Sequence, residues 1–285
     1  MASFDGLLVI DKPSGFSSRD AVNAIQAWLP RHTRIGHAGT LDPLATGVLV
    51  VCIGQATRLV EYVQRMPKTY RSTFLLGAHS DTDDADGRVA IQEGVTPVEL
   101  SRIDASLQAF HGEIMQTPPA HSAAKIEGRR AYKLARRGEA VQLESRRVTI
   151  HSICILNYTW PRLDVEVHCG KGTYIRSIAR DLGNALGCGG LVETLRRTRV
   201  GPFHVEDAVS LDRGKDLVLA RLRPMHDAVI ELPRVEATSD DVVRLRNGQA
   251  IAGDEIGEAA VYCDGALVAI ATGDAGTLRP VKVFR

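Results

Sequence analysis

Gly36-His37-Ala38-Gly39-Thr40-Leu41-Asp42-Pro43-Leu44-Ala45-Thr46-Gly47 runs without a break into Val48-Leu49-Val50-Val51-Cys52-Ile53. Three glycines and a proline mark the first stretch as a loop. The apolar run after it reads as a buried strand. Asp42 is the only acid between Asp20 and Glu61. Its neighbours Leu41, Pro43, Leu44 and Ala45 offer a charge nothing, and burying a carboxylate costs several kcal/mol unless something pairs with it. An Asp before Pro is also a common turn signal. The loop alone therefore leaves two readings open, a turn residue or a carboxylate kept for chemistry.

The 285 residues suffice for one large domain and a small one. Apolar content of 44% and charged content of 24% fit a soluble globular chain. No apolar run is long enough to cross a bilayer, and the first residues lack the basic and apolar regions of an export signal. The cysteines at 52, 154, 169, 188 and 263 are scattered, with no Cys-x-x-Cys pair. That argues against a disulfide framework or a structural zinc site and for a reducing cytoplasm. The net charge is only +1, but it is unevenly spread. Residues 81–113 hold eight acids against two arginines, whereas residues 125–147 hold eight Lys/Arg against three acids. Such polarity either steers a polyanion to one face or marks solvated helix faces.

Along the chain, residues 6–10 read as a short buried strand, and Ser17 or Ser18 as the cap of a helix reaching Trp28 and Leu29. A helix is expected over residues 55–65 and a strand over residues 68–76. The acidic turn at residues 81–87 lacks EF-hand spacing, since Ala85, Asp86 and Gln92 occupy positions five, six and twelve. Thr96-Pro97-Val98-Glu99 reads as a capping box opening a helix. A short helix is expected over residues 129–137, closed by Gly138, inside a basic surface insertion. Residues 147–160 and 163–169 read as paired strands. Gly170-Lys171-Gly172-Thr173 lacks the order of a phosphate loop. A helix follows from Tyr174, with Ile175, Ile178, Ala179, Leu182 and Leu186 on one face and Arg176 off it. Residues 191–197 read as a second short helix and residues 199–205 as a strand. From Pro233 the texture changes to short strands separated by glycine turns, typical of a small barrel. The fold class is α+β, because strands and helices mix without a βαβ rhythm.

Three segments taken together resemble the TruB family of tRNA pseudouridine synthases. They are residues 8–15 (Leu-Val-Ile-Asp-Lys-Pro-Ser-Gly), the 37–47 loop around Asp42, and residues 171–177 (Lys-Gly-Thr-Tyr-Ile-Arg-Ser). Lys68-Thr69-Tyr70, residues 80–87 and Leu195-Arg196-Arg197 add to the likeness. His121 and His79 depart from the family pattern. The resemblance implies a catalytic domain over residues 1–232, with a mixed, largely antiparallel sheet flanked by helices and an RNA-gripping insertion at about 120–147. It implies a PUA-like RNA-binding barrel over residues 233–285.

The implied reaction isomerises the uridine at position 55 in the T loop of tRNA, after base flipping, with Asp42 as nucleophile. The chemistry breaks the glycosidic C–N bond, turns the uracil and joins C5 to the ribose, so it calls for no cofactor and no metal. The family pattern makes Arg176 the cation beside Asp42. It makes Tyr70 the ring that stacks on uracil and places Tyr174 and Leu195 in the pocket wall. It makes His37 the residue filling the space left in the RNA loop and puts Lys12 in the substrate-binding set, shaping the floor of the site rather than doing chemistry. The expected partner is the tRNA T stem-loop, with no membrane, for a monomer in the cytoplasm. Two other readings remain. One is the related guide-RNA-dependent synthase, less expected for a compact chain without a Lys-rich tail. The other is a non-catalytic tRNA-binding chaperone.

Overall fold

The computed structural model describes residues 4–122, 125–126, 129–130, 143–254 and 257–284. The loop and run that open the sequence analysis sit at its centre. The strand β3 (Thr46–Ile53) is buried along nearly its whole length. It pairs with β1 (Gly6–Lys12) on one side and meets the C-terminal third of β8 (Gly190–Val200) in parallel on the other. Beyond β8 lie β4 (Lys68–Leu76), β7 (Arg162–Cys169), β6 (Arg146–Thr159) and β5 (Gly112–Gln116), all antiparallel to their neighbours. The short β2 (Ile35–His37) and the pair Phe203–His204 complete this sheet. It is mixed and largely antiparallel, as expected.

Apolar alternation explains the two faces. Leu8, Ile10, Leu49, Val51 and Ile53 point into a core shared with helices α1 (Ser18–Gln26), α3 (Leu100–Leu107) and α4 (Ile175–Leu186). Leu7, Val9, Val48, Val50 and Cys52 point the other way, onto α2 (Val60–Arg65) and the tail. Strands buried on both faces lose polar alternation, so β1 and β3 read as continuous apolar runs. Strand β7 keeps the alternation, with Leu163, Val165 and Val167 buried and Glu166 half-buried against Arg71.

Helix α1 starts where a capping box forms between Ser17 and Asp20. In α4, Ile175, Ile178, Ala179, Leu182 and Leu186 are buried together, as the periodicity predicts. Gly187 closes it in the left-handed region. The tail forms half a barrel: β9 (Arg234–Glu236), β11 (Gly257–Cys263), β12 (Ala266–Asp274), β13 (Thr277–Val283) and β10 (Ile251–Ala252) pair in that order. The helix α5 (Ser239–Arg246) packs Leu245 into its small core.

Four expectations fail. Residues 199–205, expected as one strand, fold back on themselves, with Arg199 and Val200 paired to His204 and Phe203. The helix predicted over residues 191–197 is strand β8, lodged between β3 and β4. Register shifts at Val192/Thr194 and Arg197/Arg199 break its two-residue alternation. Val192 and Leu195 therefore imitate helical spacing, while the ladder on both sides holds the backbone extended. The box at Thr96 does not cap: α3 begins at Leu100 with Glu99 before it and no side-chain cap. Val98 is drawn into the core, and its carbonyl accepts the Tyr158 hydroxyl. Arg129–Arg130 does not open a helix either, because it pairs with Lys125–Ile126 as a two-residue ladder. The remainder of that expected helix, to Gly138, lies outside the described residues.

Candidate active site

The loop carrying Asp42 is pinned from three elements. From α1, the Ser18 hydroxyl accepts the Leu41 N–H at 2.8 Å and donates to the Leu41 carbonyl at 3.1 Å. From β1, the Lys12 ammonium donates to the carbonyls of Phe16 at 2.6 Å, Pro13 at 2.8 Å and Pro43 at 3.4 Å. From β8, the Arg197 guanidinium donates to Val48 O at 2.7 Å and Gly39 O at 3.1 Å. Gly47 ends the loop with φ +96°, and a β-carbon there would lie 2.2 Å from the Arg197 carbonyl oxygen. Only glycine allows this approach of β3 to β8.

Arg176 enters from the first turn of α4 and is 4% exposed. One terminal nitrogen lies 3.0 Å from the Asp42 carboxylate, and the other lies 3.1 Å from the Asp84 carboxylate. The carbonyls of Thr82 (2.8 Å) and His121 (3.0 Å) accept from the same guanidinium. His121 contributes its backbone here, so its unusual side chain leaves this contact intact. Asp84 is held in turn by the Thr82 hydroxyl at 2.5 Å and the Asp86 N–H at 3.2 Å. The acidic turn thus clamps α4: Asp83 pairs with Arg180, one helical turn on, at 2.9 Å.

Asp42, Arg176, Tyr70, Tyr174 and Leu195 line one cavity of about 470 Å³. A third of the Asp42 side chain is open to it, while protein surrounds the rest. That burial pushes the Asp42 carboxyl above the usual carboxylate range; Arg176 opposes the shift and Asp84 adds to it. Burial also raises the Tyr70 phenol, keeping it neutral. Tyr174 is fixed twice. The buried Gln116 amide accepts its N–H at 2.8 Å and donates to its carbonyl at 3.1 Å. Arg146 lies over its ring at 4.7 Å and donates to Gly172 O at 2.6 Å.

Two expected site residues do not reach this cavity. Lys12 has no exposed surface and lies as a buried strut under the Asp42 loop, without direct access to the cavity. Its burial lowers its pKa to about 8. His37 is half-buried at the end of β2, paired with Val51, two residues before Gly39 on the cavity wall.

Among the described residues lining the cavity, Asp42 is the sole acid, against Lys68, Arg146, Arg147, Lys171, Arg176 and Arg197. Such a wall suits a polyanion. Residues 28–175 match the TruB family pseudouridylate synthase (N terminal domain), and residues 176–232 match the tRNA pseudouridylate synthase B C-terminal domain.

This chain belongs to the TruB family.

Among its TruB relatives, the tRNA pseudouridine synthase B of Cereibacter sphaeroides is 44% identical over 99% of this chain and 97% of its own length. That of Thermobifida fusca is 39% identical over 98% of each. Solved structures with the same fold include an H/ACA RNP bound to a substrate RNA containing 2'-deoxyuridine. Its matching chain has a TM-score of 0.75 and 25% identity, covering 99% of this chain and 86% of that one. A Cbf5-Nop10-Gar1 complex gives 0.74 and 27%, covering 98% and 84%.

Sequence reasoning gave Lys68, Asp84 and Gln116 no role of their own at this site, and Arg146 only a share in the RNA-gripping insertion. Lys68 is 6% exposed, bonded to the carbonyls of Gln64 and Met66, and lowered by burial to about 8. For Asp84 a signal existed. Arg176 and Arg180 stand four apart on one helix, and an acidic turn is the natural partner for such a pair. For Gln116 and Arg146 no local pattern marks the contact.

Proposed function

We infer that the chain isomerises a uridine of tRNA to pseudouridine, and that the target is the T-loop uridine at position 55. The observation that carries the mechanism is the Asp42–Arg176 pair, 3.0 Å apart on the wall of a cationic cavity. Asp42 is the nucleophile, and Arg176 keeps its carboxylate ionised against the burial that favours the neutral form. The glycosidic C1′–N1 bond breaks, and a C1′–C5 bond forms after the uracil turns. The proton leaving C5 is balanced by one gained at N1, so the product is an isomer.

A uridine folded into an RNA loop cannot reach the cavity, so the nucleotide is flipped out at a cost of a few kcal/mol. The neutral Tyr70 ring stacks on the flipped uracil, with Tyr174 and Leu195 bounding it. His37, two residues before Gly39 on the cavity wall, occupies the gap left in the T loop. Residues 1–232 carry the catalysis, with the segment at about 120–147 gripping phosphates, and residues 233–285 form a second RNA-binding unit. We take the enzyme to act as a monomer in the cytoplasm, the reducing compartment that its scattered cysteines fit.

The test is carbodiimide mapping of pseudouridine in a bare tRNA transcript treated with purified protein. Modification at position 55 alone, without guide RNA, is expected. Asp42→Asn should bind the transcript and lose turnover by about 10⁴-fold or more. Product only when a guide RNA is added would point to the guide-dependent branch instead. Binding with no product under either condition would leave a chaperone.

A further inference from the structure

A second cleft, of about 660 Å³, opens where the main sheet meets the tail. Arg34, Gln55, Arg58, Arg246, Asn247 and Val283 line it. Three of these are arginines, and among the described residues lining the cleft none is acidic. They come from three separate places: just before β2, the 3-10 turn Gly54–Leu59, and the last turn of α5. Guanidiniums gathered without a carboxylate repel one another, and an anion shared among them removes that cost.

The cleft is also held in shape. Arg58 donates to the Val283 carbonyl and lies over the Phe284 ring at 5.1 Å. The Arg34 carbonyl accepts the Gly54 N–H at 2.8 Å, tying the start of β2 to the same turn. Asp5 lies against one lining residue, Gln55, whose N–H it accepts at 2.7 Å. The carbonyl end of α5 would repel an anion, but the N–H groups of Asn247, Gly248 and Gln249 cap it. Arginine forks with amide donors beside them suit phosphate, which accepts bidentate hydrogen bonds.

The cleft is near the catalytic cavity. Arg34 stands five residues before Gly39 on the cavity wall, a span of at most about 18 Å. An RNA whose base enters the cavity has further phosphates within that reach.

We propose that this cleft binds a backbone phosphate of the substrate RNA away from the target nucleotide, so that sheet and tail hold the RNA together. The proposal rests on the reading that tRNA is the substrate. Its chemistry is that of contacts that position RNA without reading sequence.

Arg34 and Arg246 are exposed, so replacing both leaves the core untouched. The experiment compares wild type, the Arg34→Gln/Arg246→Gln double variant and the Arg34→Lys/Arg246→Lys double variant on tRNA transcript over a range of salt. For the glutamine variant, KM should rise about tenfold at low salt, and the salt slope of log K should fall by about 1 to 2. The value of kcat should stay within about twofold. The lysine variant keeps the charge and should keep the slope. An unchanged slope and KM in the glutamine variant, with wild-type turnover intact, would overturn the phosphate site alone. Loss of slope in the lysine variant as well would also overturn it, since the effect would then follow shape rather than charge. Absence of turnover on tRNA by the wild type would instead sink the underlying reading.

Discussion

At the scale of the residue, Asp42 is governed by two opposed effects. Burial raises its pKa, and the guanidinium at 3.0 Å lowers it, with burial the larger. On the proposed mechanism Asp42 attacks as a carboxylate and must be ionised. Turnover should therefore fall as pH drops, with an acid limb lying above the ordinary aspartate pKa of about 3.9. Asp84 raises the Asp42 pKa through space. Asp84→Asn should accordingly move the acid limb to lower pH, read from a pH–rate profile, while loosening Arg176. An acid limb that stays put would mean that Asp84 holds Arg176 without acting on the charge of Asp42. The linkage sign follows. Between the ordinary and the raised pKa the folded state binds more protons than the unfolded one, so stability falls as pH rises through that window. Asp42→Asn should thus leave the melting temperature at neutral pH unchanged or higher, because it removes a desolvated charge. Arg176→Lys should cost about 10²-fold in kcat, since a point charge cannot span Asp42, Asp84 and two carbonyls at once. Asp42 itself was legible: a lone acid among apolar neighbours, in a loop that leads into a buried strand. Asp84, the second acid on Arg176, left only the indirect signal of an acidic turn and two arginines four apart, because the Arg176–Asp84 pair closes across 92 residues of sequence and no periodicity records such a contact.

At the scale of the element, the site depends on β3 and β8 approaching closely. Gly47 lies at that contact with φ +96° and no room for a β-carbon beside the Arg197 backbone. Gly47→Ala should destabilise the fold by about 3 kcal/mol or more, measured by denaturant unfolding. A variant of wild-type stability would show that the two strands can part at no cost. The loop at residues 170–173 is held by Arg146, which covers Tyr174 and bonds Gly172. Arg146→Ala should weaken catalysis on tRNA by about fivefold, near the 1 kcal/mol of such a cation–π contact. Most elements could be read from the residues, because their cores follow clean periods. In α4 the apolar residues repeat as on one helix face, and in β7 they alternate. Strand β8 could not, because two bulges move Val192 and Leu195 to a helix-like spacing and only the flanking strands hold it extended.

At the scale of the whole molecule, the tail is more than an attachment. Its Ala260, Tyr262, Leu267, Ile270 and Phe284 pack against Leu59, Val63 and Met66 in one continuous core. Glu258 meets both the Tyr62 hydroxyl at 3.0 Å and Arg65 across the same junction, and Lys282 bonds Glu61. A chain ended at residue 232 should expose that apolar face, bind a hydrophobic dye and melt at a lower temperature than the full chain. Equal melting temperatures would mean that the shared core adds nothing to stability. The described residues include no helix long and apolar enough to cross a membrane. The change of texture at Pro233 announced a second β-rich unit, but nothing in the composition announced that it would share a core with β1 and β3. By itself the sequence determined the α+β class, the Asp42 loop, the helix bearing Arg176 and the likeness to the TruB family, since local propensity, apolar period and an ordered motif all lie along the chain. Only tertiary structure decided that Arg176 bridges two carboxylates, which carbonyls the buried Lys12 ammonium ties together under the loop, and that β8 is a strand. Each of these depends on which distant segments meet, and that is settled by burial and hydrogen bonding across the sheet.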